Sequence, residues 1–165
     1  MFHIVLYEPE IPPNTGNIIR LCANTGACLH LIHPLGFQLD DAKLRRAGLD
    51  YREWAELREH GSLAEFIERV APERLFAFST KGRRRYTEAA FRPNDALLFG
   101  PETRGLPAPL LDALPEPRKL YIPMRPESRS INLSNAVALV LYEAWRQNDF
   151  AGAVDATHPP LSSAF

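Results

Sequence analysis

Near its C-terminal end the chain reads PESRSINLSNAVALVLYEAWRQ (126–147), and from Ser128 to Asn135 six residues are polar, five of them Ser or Asn. One side-chain oxygen suffices to cap a helix start. A start this crowded with hydroxyls and amides therefore also offers donors and acceptors to a ligand. Three further stretches set chemistry-bearing side chains beside Gly or Pro. In NTGNIIR (14–20), Asn14 is a natural N-cap, and Arg20 follows six residues later, almost two helical turns on, so it is expected to project from a similar face. In LFGPETRGLP (98–107), Glu102 and Arg104 sit in a loop braced by Gly105 and Pro107, just after Gly100, where a missing Cβ lets a ligand approach the backbone. TKGRRR (80–85) packs four cations into five residues around Gly82, a local patch able to meet phosphates. Neither the G-x-G-x-x-G nor the Walker A spacing occurs in these loops. Ser128 and Ser130 lie outside any G-x-S-x-G elbow, which argues against a serine hydrolase.

The elements that must position these groups are apolar runs: FHIVLY (2–7), CLHLIH (28–33), RLFAFS (74–79), DALLFG (95–100) and KLYIP (119–123). They are continuous rather than alternating, as strands buried on both faces are. Helical patterns lie between several of them. One runs from Asn14 to a C′ glycine at Gly26. A second follows the capping box S-L-A-E at Ser62. A short one covers Pro109–Ala113, and the last runs from about Ile131 to Gln147. Such alternation predicts an α/β domain with a mostly parallel sheet and helices on both faces. Ligands bind such sheets beyond the carboxyl ends of the strands, and four of the five runs end in an equipped loop. The junction after the second, HPLGF, reads as structural. Residues 1–150 form a single domain on this reading, and 151–165, which lack periodicity, a flexible tail.

Composition bounds the rest. The chain has 165 residues, 45% hydrophobic and 24% charged, with a formal net charge of −1, so a nucleic-acid partner would have to rest on a local basic patch. Lys43, Arg45 and Arg46 could extend that patch, and Tyr51, Trp54 and Tyr86 are aromatics able to stack on bases or to pack. No apolar run reaches the ~18 residues of a membrane span. The opening MFHIVLYEPE lacks a basic segment, so a cytoplasmic protein without a membrane partner is expected. The two cysteines, Cys22 and Cys28, match no common zinc spacing; they are expected to be reduced and partly buried, and no metal site is expected. From Val137 to Trp145 apolar residues nearly encircle the last helix, which predicts a second buried side and a homodimer.

Taken together and in this order, NTGNIIR, LLFGPETRGLP and IPMRPESRSINLSNAVALVLYEAWRQ resemble the three signature motifs of the SPOUT superfamily of RNA methyltransferases, in its tRNA ribose 2′-O-methyltransferase branch. HIVLYEPEIPPNTGNIIRLCANTG and RRAGLDY (45–51) are similar to the small single-domain members that methylate the wobble nucleotide, position 34, of leucine tRNAs. The resemblance spans about residues 2–147. It implies an α/β fold with a C-terminal trefoil knot, S-adenosylmethionine as cofactor with S-adenosylhomocysteine as product, no metal, tRNA as substrate, and a homodimer with the active site at the subunit interface. It places the cofactor against Phe78, Gly100, Ile122 and Ser130. It implies catalytic roles for Arg20, Asn14, Ser130 and Asn132, and links Lys81, Glu102 and Tyr142 to RNA binding or site integrity; Arg83, in the basic patch, is a further expected RNA-binding residue. Ser134 and Asn135 remain equally well explained as capping and turn residues. A relative acting on another tRNA position or on rRNA, and a non-catalytic RNA-binding module, are the alternatives.

Overall fold

The computed structural model describes residues 1–39 and 57–154. The five apolar runs form strands β1 (His3–Tyr7), β2 (Cys28–Ile32), β4 (Arg74–Phe78), β6 (Asp95–Phe99) and β7 (Lys119–Tyr121). Two short polar strands join them, β3 (Leu57–His60) and β5 (Arg84–Arg85). All seven pair in parallel, in the order β3-β2-β1-β6-β4-β7-β5. The two unanticipated strands are the edges. An edge strand needs partners for one side of its backbone only, so neither carries a long apolar run.

Side chains alternate across the sheet, and each face has its own core. Ile4, Leu6, Leu29, Leu31, Phe76, Leu97 and Phe99 pack under helices α1 (Pro12–Thr25) and α4 (Leu133–Arg146). Val5, Ile32, Leu75, Ala77 and Leu98 pack under α2 (Leu63–Val70) and α3 (Ala108–Asp112). Helices thus cover both faces, as the continuous apolar runs required. Phe66 is the one fully covered side chain of α2, and removing a ring so placed costs about 3–5 kcal/mol.

Helix ends follow local rules in some places and not in others. Gly26 closes α1 at φ 71°, where the left-handed backbone suits a residue without Cβ. Ser62 caps α2, its Oγ accepting from Glu65 N–H at 3.1 Å. Glu65 returns a bond to Gly61 N–H at 2.5 Å, one residue earlier than a capping box implies. Asn14 is not the cap of α1. Pro12 and Pro13 occupy the first helical positions, where their missing N–H groups are harmless, so the cap position falls to Ile11, three residues sooner. Nor do Ser134 and Asn135 cap α4. That role falls to Asn132, whose Oδ1 accepts from the N–H groups of both, at 2.9 and 3.4 Å. Cys22 and Cys28 are both buried and are not joined in a disulfide.

Candidate active site

The strand order reverses direction between β1 and β6: β2 and β3 lie to one side, all later strands to the other. A crevice opens at the carboxyl ends on either side of such a point. Here the loops after β1, β4, β6 and β7 enclose a cavity of about 510 Å³, within the range of small-molecule sites. It is lined by Asn14 from the first turn of α1, by Phe78 and Lys81 from the strand end and loop of β4, by Gly100 and Glu102 after β6, and by Ile122, Ser130 and Asn132 after β7. All four expected cofactor residues therefore share one cavity with Asn14, Asn132, Lys81 and Glu102.

Glu102 organises the site. Its carboxylate accepts from the N–H groups of Glu10 at 2.8 Å and Ile11 at 3.1 Å, and from Asn14 Nδ2 at 3.1 Å. The N-terminus of α1, left without a local cap, is closed by a side chain about ninety positions away, and the negative charge suits the positive end of the helix. Asn14 Oδ1 in turn accepts from Asn132 Nδ2 at 2.9 Å, and Asn132 Oδ1 faces the first N–H groups of α4. The polarity of this relay is set at both ends. A carboxylate only accepts and helix N–H groups only donate, so each amide must turn its NH₂ toward Glu102 and its oxygen toward α4. One relay thus joins all three motifs.

Around it the loops after β1 and β6 are stitched together. Thr103 donates through N–H (3.1 Å) and Oγ1 (2.7 Å) to Glu10 Oε2, and Arg104 pairs with Glu8 at 2.5 Å. The Thr103 hydroxyl bond holds the Glu10 carboxyl below its ordinary pKa range. Gly100 is required by its own loop. A Cβ there would collide with the Leu106 amide and stand 2.5 Å from the Gly105 carbonyl carbon. Gly82 likewise presses its backbone on Leu120 of β7. The Phe78 ring stacks on that of Phe99, with centroids 4.7 Å apart and 10° between planes, and both line the cavity.

Three expected residues lie elsewhere. Arg20 is exposed on α1 while Asn14 is buried. Six helical residues turn about 600°, which leaves the two some 120° apart rather than on one face. Arg83 is exposed just beyond the cavity-lining loop. Tyr142 is 45% exposed on α4, edge-on to Trp145 at 5.7 Å. Tyr86 packs against the core. Lys43, Arg45, Arg46, Tyr51, Trp54 and the RRAGLDY run lie outside the described residues, as do residues 155–165. Reading by sequence missed the stitching pair Glu10–Thr103, for which the alternation E-P-E opposite E-T-R was the available signal. It also missed a buried row, His3, His30 and His60, on neighbouring strands.

Residues 1–142 match the model of the family described as SpoU rRNA Methylase. The chain belongs to the SpoU methylase family. Across 154 residues it is 60% identical to the tRNA (cytidine(34)-2′-O)-methyltransferase of Escherichia coli K12, covering 93% of this chain and 98% of that protein. A solved structure bearing on 2′-OH methylation of C/U34 on tRNA superposes with a TM-score of 0.82 at 51% identity, covering 90% of this chain and 97% of that one. The SpoU methyltransferase AviRb of Streptomyces viridochromogenes, solved with AdoMet, superposes with a TM-score of 0.75 at 25% identity. It covers 89% of this chain and 57% of its own. No described helix is long and apolar enough to cross a membrane.

Proposed function

We propose that this SpoU methylase is an S-adenosylmethionine-dependent tRNA methyltransferase. Its target is the ribose 2′-hydroxyl of the wobble nucleotide, position 34 (cytidine or modified uridine), of leucine tRNAs. It works as a cytoplasmic homodimer with the trefoil knot of its superfamily. The observation that carries the reading is the relay Glu102–Asn14–Asn132, which binds three motifs around one cavity, in a chain 60% identical over nearly its whole length to an enzyme of that activity.

The cavity suits the cofactor. Phe78, Phe99, Leu106 and Ile122 form an apolar wall fit for a purine, Lys81 brings a cation able to meet a carboxylate, and Ser130 and Asn132 supply polar contacts. When bound, the cofactor supplies a methyl group on a sulfonium sulfur; the ribose 2′-oxygen takes it in line, the carbon–sulfur bond breaks, and S-adenosylhomocysteine is released. The protein's part is alignment, which can lower such a barrier by about 7–11 kcal/mol, and handling of the proton. A guanidinium does not give up its proton in a protein, so Arg20 does not serve as the base. It grips the phosphate of the target nucleotide and stabilises charge developing on the 2′-oxygen, while the proton leaves to phosphate or water. Arg20 does not line its own chain's cavity, which supports its acting on a cavity held by the partner subunit. Leu139 and Tyr142, both 45% exposed on α4, belong to the dimer face on this reading.

Methyl transfer to total tRNA followed by nucleoside mapping tests the proposal. Label is expected at nucleotide 34 of leucine isoacceptors. Label at another tRNA position or in rRNA would overturn the specificity and leave the chemistry. Arg20→Ala is expected to abolish transfer with cofactor affinity retained, and collapse of cofactor binding would refute the role given to Arg20.

A further inference from the structure

At the opposite, amino-terminal ends of β1 and β2 the sheet brings M-x-H (1–3) alongside C-x-H (28–30). His3 and Cys28 are register partners, and period-two alternation puts His30 on their face. His3, Cys28 and His30 are all buried, and each offers a ligand atom within 4.8 Å of the others. Met1 Sδ lies 3.3 Å from Cys28 Sγ. We propose that His3 Nδ1, His30 Nε2 and Cys28 Sγ, with the Met1 thioether as a weak fourth donor, form a binding site for one soft d¹⁰ cation, Zn²⁺ or Cu⁺, that ties β1 to β2 far from the catalytic cavity.

Three observations carry it beyond proximity. The donor set, two imidazoles with a thiolate and a thioether, is the soft kind that selects these ions. Both imidazoles are also oriented from behind, as metal-ligating histidines are. His3 Nε2 bonds Asn94 Oδ1 at 2.9 Å, and His30 Nδ1 meets His60 Nε2 at 3.0 Å. Finally, His3 Nδ1 and His30 Nε2 are 3.0 Å apart; nitrogens about 2.0–2.1 Å from one ion need part by only ~0.3 Å from there to reach a tetrahedral angle. Without a cation the same pair shares one N–H···N bond. With it, the His30 proton moves to Nδ1 and is donated to His60, whose own proton shifts to Nδ1, a buried atom with no partner among the described residues. The Cys28 thiol proton is released to solvent, so affinity falls as pH falls.

The test uses the full-length protein, stripped with chelator. Zn²⁺ and, anaerobically, Cu⁺ are titrated against chromophoric chelators, and Co²⁺ serves as the spectroscopic probe. One-to-one binding is expected, with a thiolate-to-Co²⁺ charge-transfer band and a Tm rise of about 5 °C at saturating ion. Cys28→Ser should remove the band and the Tm rise and leave methyl transfer unchanged; His30→Gln should weaken binding by about tenfold or more. No stoichiometric binding at about 100 µM ion would overturn the site and leave only a hydrogen-bonded histidine row. A band that survives Cys28→Ser would assign the thiolate to Cys22, which also overturns it.

Discussion

The relay through Asn14 should be reversible in polarity, and the reversal can be measured. In Glu102→Gln the amide NH₂ replaces either Oε2, which accepts from Glu10 N–H, or Oε1, which accepts from both Ile11 N–H and Asn14 Nδ2. If it faces Asn14, the bond to Ile11 N–H is lost, and Asn14 Nδ2, now confronting another NH₂, must flip. Its Nδ2 then points at Asn132 Nδ2, and the conflict is passed toward the cap of α4. A bond to a charged acceptor is worth about 1.5–3 kcal/mol, and the exposed Ile11 bond is partly replaced by water, so Glu102→Gln should cost about 2–3 kcal/mol. Asn132→Asp keeps an acceptor at the α4 cap, where negative charge is welcome. It cannot donate to Asn14 Oδ1, and should cost about 1–2 kcal/mol.

The double variant, Glu102→Gln with Asn132→Asp, restores order by running the relay backwards. The new amide at position 102 donates to Asn14 Oδ1, and Asn14 donates to the new carboxylate at position 132. That carboxylate still accepts from the Ser134 and Asn135 N–H groups. The Ile11 bond stays lost. The two costs should therefore fall short of their sum by about 1–2 kcal/mol, although residues 102 and 132 make no hydrogen bond with each other. Urea unfolding at fixed protein concentration is the assay, because the proposed dimer would make stability depend on concentration. Additivity within about 0.5 kcal/mol would refute the relay as a coupled unit.

Gly100→Ala drives a Cβ into the 105–106 backbone and is expected to cost about 1–3 kcal/mol and to weaken cofactor binding, read by calorimetry. In chelated protein, burial among His3, His60 and Arg58 lowers the His30 pKa from its ordinary 6.5 to about 3. Asn94, Glu65 and Arg69 also act on this row. The unfolded chain then binds the extra proton first, so stability is complete above about pH 6.5 and declines toward pH 3, by about 2 kcal/mol at pH 5. A Tm–pH profile unchanged in His30→Gln would contradict this. Arg83→Ala should weaken tRNA binding, reduce its salt slope by about one and spare cofactor affinity, whereas Lys81→Ala, at the cavity wall, should affect both.

What could be read from the chain alone was whatever is encoded within a few residues. Apolar runs announced the five inner and near-inner strands because a strand covered on both faces must be apolar throughout. β3, reading LREH, and β5, reading RR, escaped because an edge is held by backbone bonds to one neighbour, and their side chains are free to be polar. Gly26 and Ser62 act on their own helices and were legible. Asn14 looked like a cap and is not, because the acceptor that closes α1 is Glu102, brought there only when β6 inserts beside β1. The same insertion explains the site. Motif matching could name Asn14, Glu102 and Asn132 as residues that matter, yet their shared function is a direction of hydrogen bonding that no single motif contains. Glu102 gives the direction, Asn14 transmits it and Asn132 spends it on holding the first turn of α4 at the cavity wall. The crowded polar start of α4 is therefore one end of a device whose other end lies in a different loop. Spacing can place such ends on the right elements, but the joint between them forms only in the folded sheet.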